Sequence, residues 1–300
     1  MYLLWLLLFP FVRSCVPDYH QCGGLTYGGE TACCSDSAQC VVINDYWHQC
    51  NPCDQRRRSV TDPANYDNVR AFIDGVTELK NNGIYDNFTK QHGNATTFFQ
   101  FHKNALFLPW HRWYVSQLEN KIRETTPCFA MPYWDWSADS DDPLGSALWS
   151  IIGEANTQGG CLKGGPFSTF LGAFDHKCIQ RDTNVSRIQL FSTDELATLV
   201  SLNQSFLKFS HLFEDTAHAM PHLLVSHQMS SMPSPDDPLF YLHHAFTDVV
   251  LASYMKCHPR ENASSIASVL LPYANGLTVR DAMAINAETD YDHQRLCTVR

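Results

Sequence analysis

FHKNALFLPWHRWYVSQLE, residues 101–119, sets two histidines nine positions apart, the second between two tryptophans and at the head of an amphipathic pattern. Pro109 suits the first turn of a helix, where its missing N–H has no intrahelical partner to lose. From there Trp113 or Tyr114, Val115, Leu118 and Ile122 recur at helical spacing and make one apolar face. The pattern predicts a core helix that carries His111 inward in its first turn, with His102 just upstream.

Two further histidine groups follow. DTAHAMPH (215–222) places His218 and His222 at i and i+4, one turn apart on a helix and at chelating spacing. It lacks the HExxH order, so a zinc protease with a glutamate base is not supported. DPLFYLHHAFTDVVLASYM (237–255) puts His243 and His244 at the start of another amphipathic helix. One histidine alone is ordinarily a surface or core residue; three spaced groups in aromatic settings point to a metal. Bundle proteins build such centres from inward side chains on facing helices. Imidazole-only ligation favours copper or zinc over calcium or magnesium, which want carboxylates.

The rest of the chain fits a helical frame. NYDNVRAFIDGVTELKNNG (65–83) has helical apolar spacing and Gly83 just past its end. Strand-like alternation is scarce beyond residue 59. Residues 135–187 collect Gly, Pro, Ser and Asp around GGCLKGGPF (159–167) and read as long loops. The expected fold is mainly α, a four-helix-bundle metal core with long loops, preceded by a small disulfide-stapled β module.

Three hundred residues with 44% hydrophobic content suffice for one large and one small domain. A net charge of -10 argues against nucleic acid or an anionic membrane as partner. The one basic run, RRR at 56–58, reads as a solvated segment open to a processing protease. Residues 1–14 read as a signal peptide, with Val12 and Ser14 at the -3 and -1 positions of cleavage before Cys15. Twelve cysteines and five glycosylation sequons (Asn87, Asn94, Asn184, Asn203, Asn262) agree with a secreted, extracellular protein without a membrane anchor. Domain boundaries follow at 15–50, a linker at 51–58 and a large domain at 59–300.

Six cysteines (Cys15, Cys22, Cys33, Cys34, Cys40, Cys50) crowd the small module, because some 36 residues cannot build a self-sufficient apolar core. TACC and QCVVIN carry its strand signals. With so little interior, Tyr19, Tyr46 and Trp47 are expected at the surface, either covering disulfides or forming a stacking platform. The order QCGG, YGGxT, paired cysteines and YWHQC resembles the fungal-type family 1 cellulose-binding module. That resemblance implies stacking of Tyr19, Tyr46 and Trp47 on sugar rings, with polar help from Asn44 and Gln49, and a structural Tyr27. It also implies Cys22 paired with Cys40, one of Cys33 or Cys34 with Cys50, and Cys15 with the other.

HKNALFLPWHRWYVSQLE and DPLFYLHHAFTD resemble the two signature motifs of the tyrosinase and catechol oxidase family, the type 3 dicopper oxidases. MPYWDW, GGPF and CIQRD add a likeness to short secreted fungal members. The resemblance implies two copper ions as cofactor, one held by His92, His102 and His111, the other by His218, His222 and His244. His243 would hydrogen-bond beside the site, and Asp248 would fix backbone or an imidazole. Arg112 and Glu119 read as a buried ion pair or as supports of the ligands. No cysteine lies two residues from His92 or His102, so no thioether bridge to histidine is expected.

The implied reaction is oxidation of o-diphenols to o-quinones with O2 as co-substrate, by an enzyme tethered to cellulose or a related polysaccharide. In monophenol-active relatives an asparagine often follows the first histidine of the second copper; here that place is Ala219, and Leu223 follows the next. Diphenol oxidation with weak hydroxylation is therefore expected. The competing readings are a full tyrosinase, a haemocyanin-like oxygen carrier and a catalytically dead wall-binding protein. The 56 residues after His244 (300 less 244) are too few for the β domain of a carrier, or for an inhibitory one.

Overall fold

A computed structural model describes residues 15–35, 38–260, 263–285, 291 and 296–297. The expected signal peptide, the sequon at Asn262 and His293 lie outside the described residues. The chain divides after Asp54 into two compact units.

The smaller unit holds a three-stranded antiparallel sheet, β1 (Gln21–Gly23), β2 (Ala38–Asn44) and β3 (Trp47–Pro52), in the order β1-β3-β2. QCVVIN lies within β2, as expected. TACC does not form a strand; Cys33 makes only an isolated bridge to Val16. The disulfides are Cys15–Cys34, Cys22–Cys40 and Cys33–Cys50, which settles the choice between the adjacent cysteines. Among the described residues its buried apolar cluster is Val16, Cys22 and Cys50, so crosslinks stand in for a core.

The larger unit is helical: α1 (Tyr66–Asn81), α2 (Ile84–His92), α3 (Phe107–Arg123), α4 (Leu148–Ile152), α5 (Thr193–Ser201), α6 (Phe206–Asp215), α7 (Ala219–Val225), α8 (Leu239–Cys257) and α9 (Val279–Ala284). Gly83, just beyond α1, adopts φ 76, a left-handed conformation that glycine takes without a Cβ penalty. α5 and α9 begin with capping boxes, Ser192 with Glu195 and Thr278 with Asp281. Pro109 occupies the first turn of α3 as expected, and His111 falls one turn in. Residues 153–187 are largely irregular, tied by Cys161–Cys178. Among the described residues no helix is long and apolar enough to cross a membrane.

α8 departs from the expected amphipathic helix. It is buried on nearly all sides from Leu239 to Leu251, because α3 and α5 pack against it and leave no solvent face. The expected linker at 51–58 is also corrected. Asn51 and Pro52 end β3, and Arg57 is wholly buried within the larger unit, which therefore starts before residue 59. Arg57 meets Glu119 of α3 at 2.5 Å and Asp248 of α8 at 2.9 Å. Composition suggested a solvated run; the two carboxylates that make burial tolerable lie 62 and 191 residues away.

Candidate metal centre

α2, α3, α7 and α8 carry the histidines. His92 ends α2, His102 lies in the turn before α3, His111 is on α3, His218 caps α7, His222 is on α7, and His243 and His244 are on α8. The structure gathers them into two groups, His92, His102 and His111, and His218, His222, His243 and His244; within each group the nitrogens lie within 4.8 Å of one another. The groups abut, with the His111 and His244 rings stacked at 4.4 Å.

The hydrogen bonds fix which nitrogen faces inward. His102 and His111 donate Nδ1–H to the carbonyls four residues earlier, Phe98 at 3.0 Å and Phe107 at 2.8 Å, and His218 does so to Glu214 at 3.3 Å. His92 and His222 donate to Met232 at 2.8 Å and Met229 at 2.5 Å. A carbonyl only accepts, so each of these five rings has its proton on Nδ1 and a lone pair on Nε2. Those lone pairs converge, and His244 Nε2 points among them: His92 and His111 Nε2 are 3.4 Å apart, His218 and His222 3.2 Å, His218 and His244 3.4 Å.

Facing lone pairs repel, and protonation offers no relief in this setting. Burial drives all seven pKa values down, His102 to about 3 and His222 to about 4. A metal ion removes the conflict. Imidazoles bound at about 2.0–2.1 Å with near-tetrahedral angles have nitrogens about 3.4 Å apart. The donor set therefore fits two metal ions.

His243 and Asp248 differ from expectation. Neither nitrogen of His243 has a hydrogen-bond partner; its ring stacks against His218 instead. Among the described residues Asp248 has no hydrogen bond to an imidazole, and His244 Nδ1 is unpartnered. Asp248 binds Arg57, Arg112 and the Tyr291 hydroxyl, because guanidinium donors outcompete a neutral imidazole for a carboxylate. Arg112 and Glu119 are both buried and ion-paired, but not to each other. They sit seven residues apart on α3, about 10 Å along the axis. Glu119 instead pairs with Arg57 and Arg123, which hold its pKa low against the upward push of burial.

Above the imidazoles lies a cavity of about 350 Å³, walled by Phe98, Leu223, Met229, Met232 and Phe240. Ala219 lines it too. So does Glu214, which the histidine motifs did not single out although it stands four residues before His218. Both its carboxylate oxygens accept the Lys103 backbone N–H at 2.9 Å, and burial raises its pKa to about 7. The cavity therefore holds metal-binding imidazoles and one candidate proton acceptor.

In the smaller unit Tyr19, Tyr46 and Trp47 are exposed at 65%, 65% and 40%. Trp47 and Gln49, two residues apart on β3, share a face. Gln49 Nε2 donates to the Tyr19 carbonyl at 2.6 Å, and Asn44 Oδ1 accepts the Tyr46 backbone N–H at 2.9 Å. Both polar residues thus hold the backbone that presents the aromatics.

Comparison with known proteins agrees with this geometry. Residues 82–256 match the common central domain of tyrosinase, and residues 18–47 match the fungal cellulose binding domain. The tyrosinase of Streptomyces glaucescens is 28% identical over 225 residues, covering 64% of this chain and 80% of its own. That of Streptomyces antibioticus is 28% identical over 222 residues, covering 63% and 79%. Among solved structures, deoxygenated hemocyanin from Rapana thomasiana superposes with a TM-score of 0.61 at 19% identity, covering 81% of this chain and 71% of that one. An Aspergillus oryzae pro-tyrosinase gives 0.59 at 15%, covering 80% and 69%. The structural likenesses carry the helical fold. Because the central-domain match spans more than half of the sequence and includes every buried imidazole described above, the chain belongs to the tyrosinase family of type 3 copper oxidoreductases, joined to a fungal-type cellulose-binding domain.

Proposed function

We propose that the protein is a secreted polyphenol oxidase that oxidises o-diphenols to o-quinones, with weak or no hydroxylation of monophenols, while its small unit holds it on cellulose or a related polysaccharide. The observation that carries this reading is the pair of buried imidazole groups with convergent Nε2 lone pairs beneath an open cavity. His92, His102 and His111 would hold one copper; His218, His222 and His244 the other. His244 is chosen over His243 because its Nε2 joins the convergent set. The copper pair, when bound, supplies the two-electron exchange with O2 that a single site of this kind does not. Each o-diphenol gives up two electrons and two protons, so two are consumed for every O2 reduced to water.

The chain's own residues position the phenol and take its proton. Phe98, Leu223 and Phe240 offer apolar surface to a planar ring. Glu214, with a pKa near neutrality, accepts a phenolic proton at the cavity wall. Ala219 has no polar side chain to share in that task, which supports the preference for substrates that already carry both hydroxyls. Exposed Tyr19, Tyr46 and Trp47 offer rings for sugar faces.

The test is copper content together with oxygen uptake on catechol and on tyramine. Two coppers per chain and rapid uptake with catechol alone are expected. Rapid turnover of tyramine once any lag is removed would replace this reading with that of a full tyrosinase.

A further inference from the structure

The six proposed ligands are not oriented in the same way. His102, His111 and His218 each bond the carbonyl four residues earlier, so their own segments aim them. His92 and His222 depend on a single turn, residues 226–232, which follows directly on α7. Its Met232 carbonyl takes the Nδ1–H of His92, 140 residues away in sequence, and its Met229 carbonyl takes that of His222. One ligand of each proposed copper is thus aimed by the same seven residues.

That turn begins on strained backbone and is braced both from within, where the Ser231 N–H donates to the Gln228 carbonyl at 3.0 Å, and from outside. Ser226 and His227 both adopt positive φ, 66 and 45, which side-chain-bearing residues disfavour. It is seated on the irregular segment beside the Cys161–Cys178 disulfide. Gln228 Nε2 donates to the Cys178 carbonyl at 3.0 Å, and Gln228 Oε1 accepts the Gln180 N–H at 3.0 Å. His227 Nε2 meets Asp182 at 2.7 Å.

We propose that residues 226–232, seated on residues 178–182 by Gln228 and His227, form a shared positioning device that aims one imidazole of each copper site, so that both sites gain or lose affinity together. Gln228 is then a positioning residue for both metals although it touches neither cluster. The proposal rests on the six-imidazole copper reading above.

The experiment is competition for copper between the full-length protein and chelators of graded strength, read as stoichiometry and affinity without turnover. Gln228→Ala is expected to weaken both coppers by up to about tenfold, the low end of the loss seen when a group bonded directly to a ligand is removed, since Gln228 acts on the imidazoles only through the turn. Gln228→Glu, which keeps the acceptor for Gln180 but loses the donor to Cys178, should fall between it and the wild type, and serves if the alanine variant does not fold. Ser192→Ala, which removes the cap of α5, is the control. It should lower Tm and leave copper affinity unchanged. Unchanged affinity in both Gln228 variants, loss at one copper only, or an equal loss in the control would overturn the proposal. A wild type that binds no copper would instead overturn the reading on which it rests.

Discussion

Protonation and position of single side chains set what the site does. Glu214 is a carboxyl in an apolar wall, and Glu214→Gln keeps its size while removing its capacity to take a proton. A fall in kcat on catechol of about 10²-fold or more, with copper content unchanged, is the expected outcome, since a positioned base contributes about 10²–10⁴-fold. Asp236 gives a separate, structural pH signature. Burial raises its pKa to about 6 from the usual 3.8, against the Ala173 N–H it accepts. Between those values the folded state holds this proton and the unfolded state does not, so stability falls as pH rises from about 4 to 6 and the cost is complete above it. Asp236→Asn should remove that part of the slope, so that the variant's Tm gains on the wild type as pH climbs through this window. Thermal unfolding at several pH values checks it.

At the scale of elements, the two longest helices of the candidate metal centre, α3 and α8, are bridged by a residue that precedes them both in the chain. His111 sits on α3 and His244 on α8. Glu119, two turns beyond His111, and Asp248, one turn beyond His244, are bridged by Arg57. Arg112 and Arg123 share the same two carboxylates. Arg57→Met would leave Glu119 and Asp248 short of a buried partner, at a cost of about 3–5 kcal/mol. A large drop in the denaturant midpoint is expected, with weaker copper retention as the helices relax. The same reasoning sets where the oxidase unit can be cut. A truncation beginning at Ser59, which removes Arg57 together with the disulfide-bonded Cys53, should lose at least as much stability as Arg57→Met.

For the whole molecule, the proposed function assigns the two units separable tasks. Tyr46→Ala or Trp47→Ala should each weaken retention on cellulose about fivefold, if a ring stack is worth about 1 kcal/mol, and leave turnover of soluble catechol unchanged. Sedimentation with insoluble cellulose measures the first and oxygen uptake the second. Both units were legible in the residues to different depths. The metal chemistry could be read because its signal is local: HAMPH and the frame of residues 101–119 bring imidazoles to helical spacing within a few turns, and the crowded cysteines mark a unit too small to bury a core. Those patterns sufficed for a mainly helical metal protein behind a crosslinked β module, and the resemblance to the tyrosinase signatures supplied the oxidase. What stayed hidden depends on groups far apart in the chain. Arg57 passed for a solvated residue because its partners lie in α3 and α8, Asp248 was read as fixing backbone or an imidazole because the guanidinium groups it meets come from elsewhere, and Glu214 went unmarked because a carboxyl gains its raised pKa from packing. Spacing along a helix can place a side chain on a face, but which charge it meets there is fixed by the segments that fold over it.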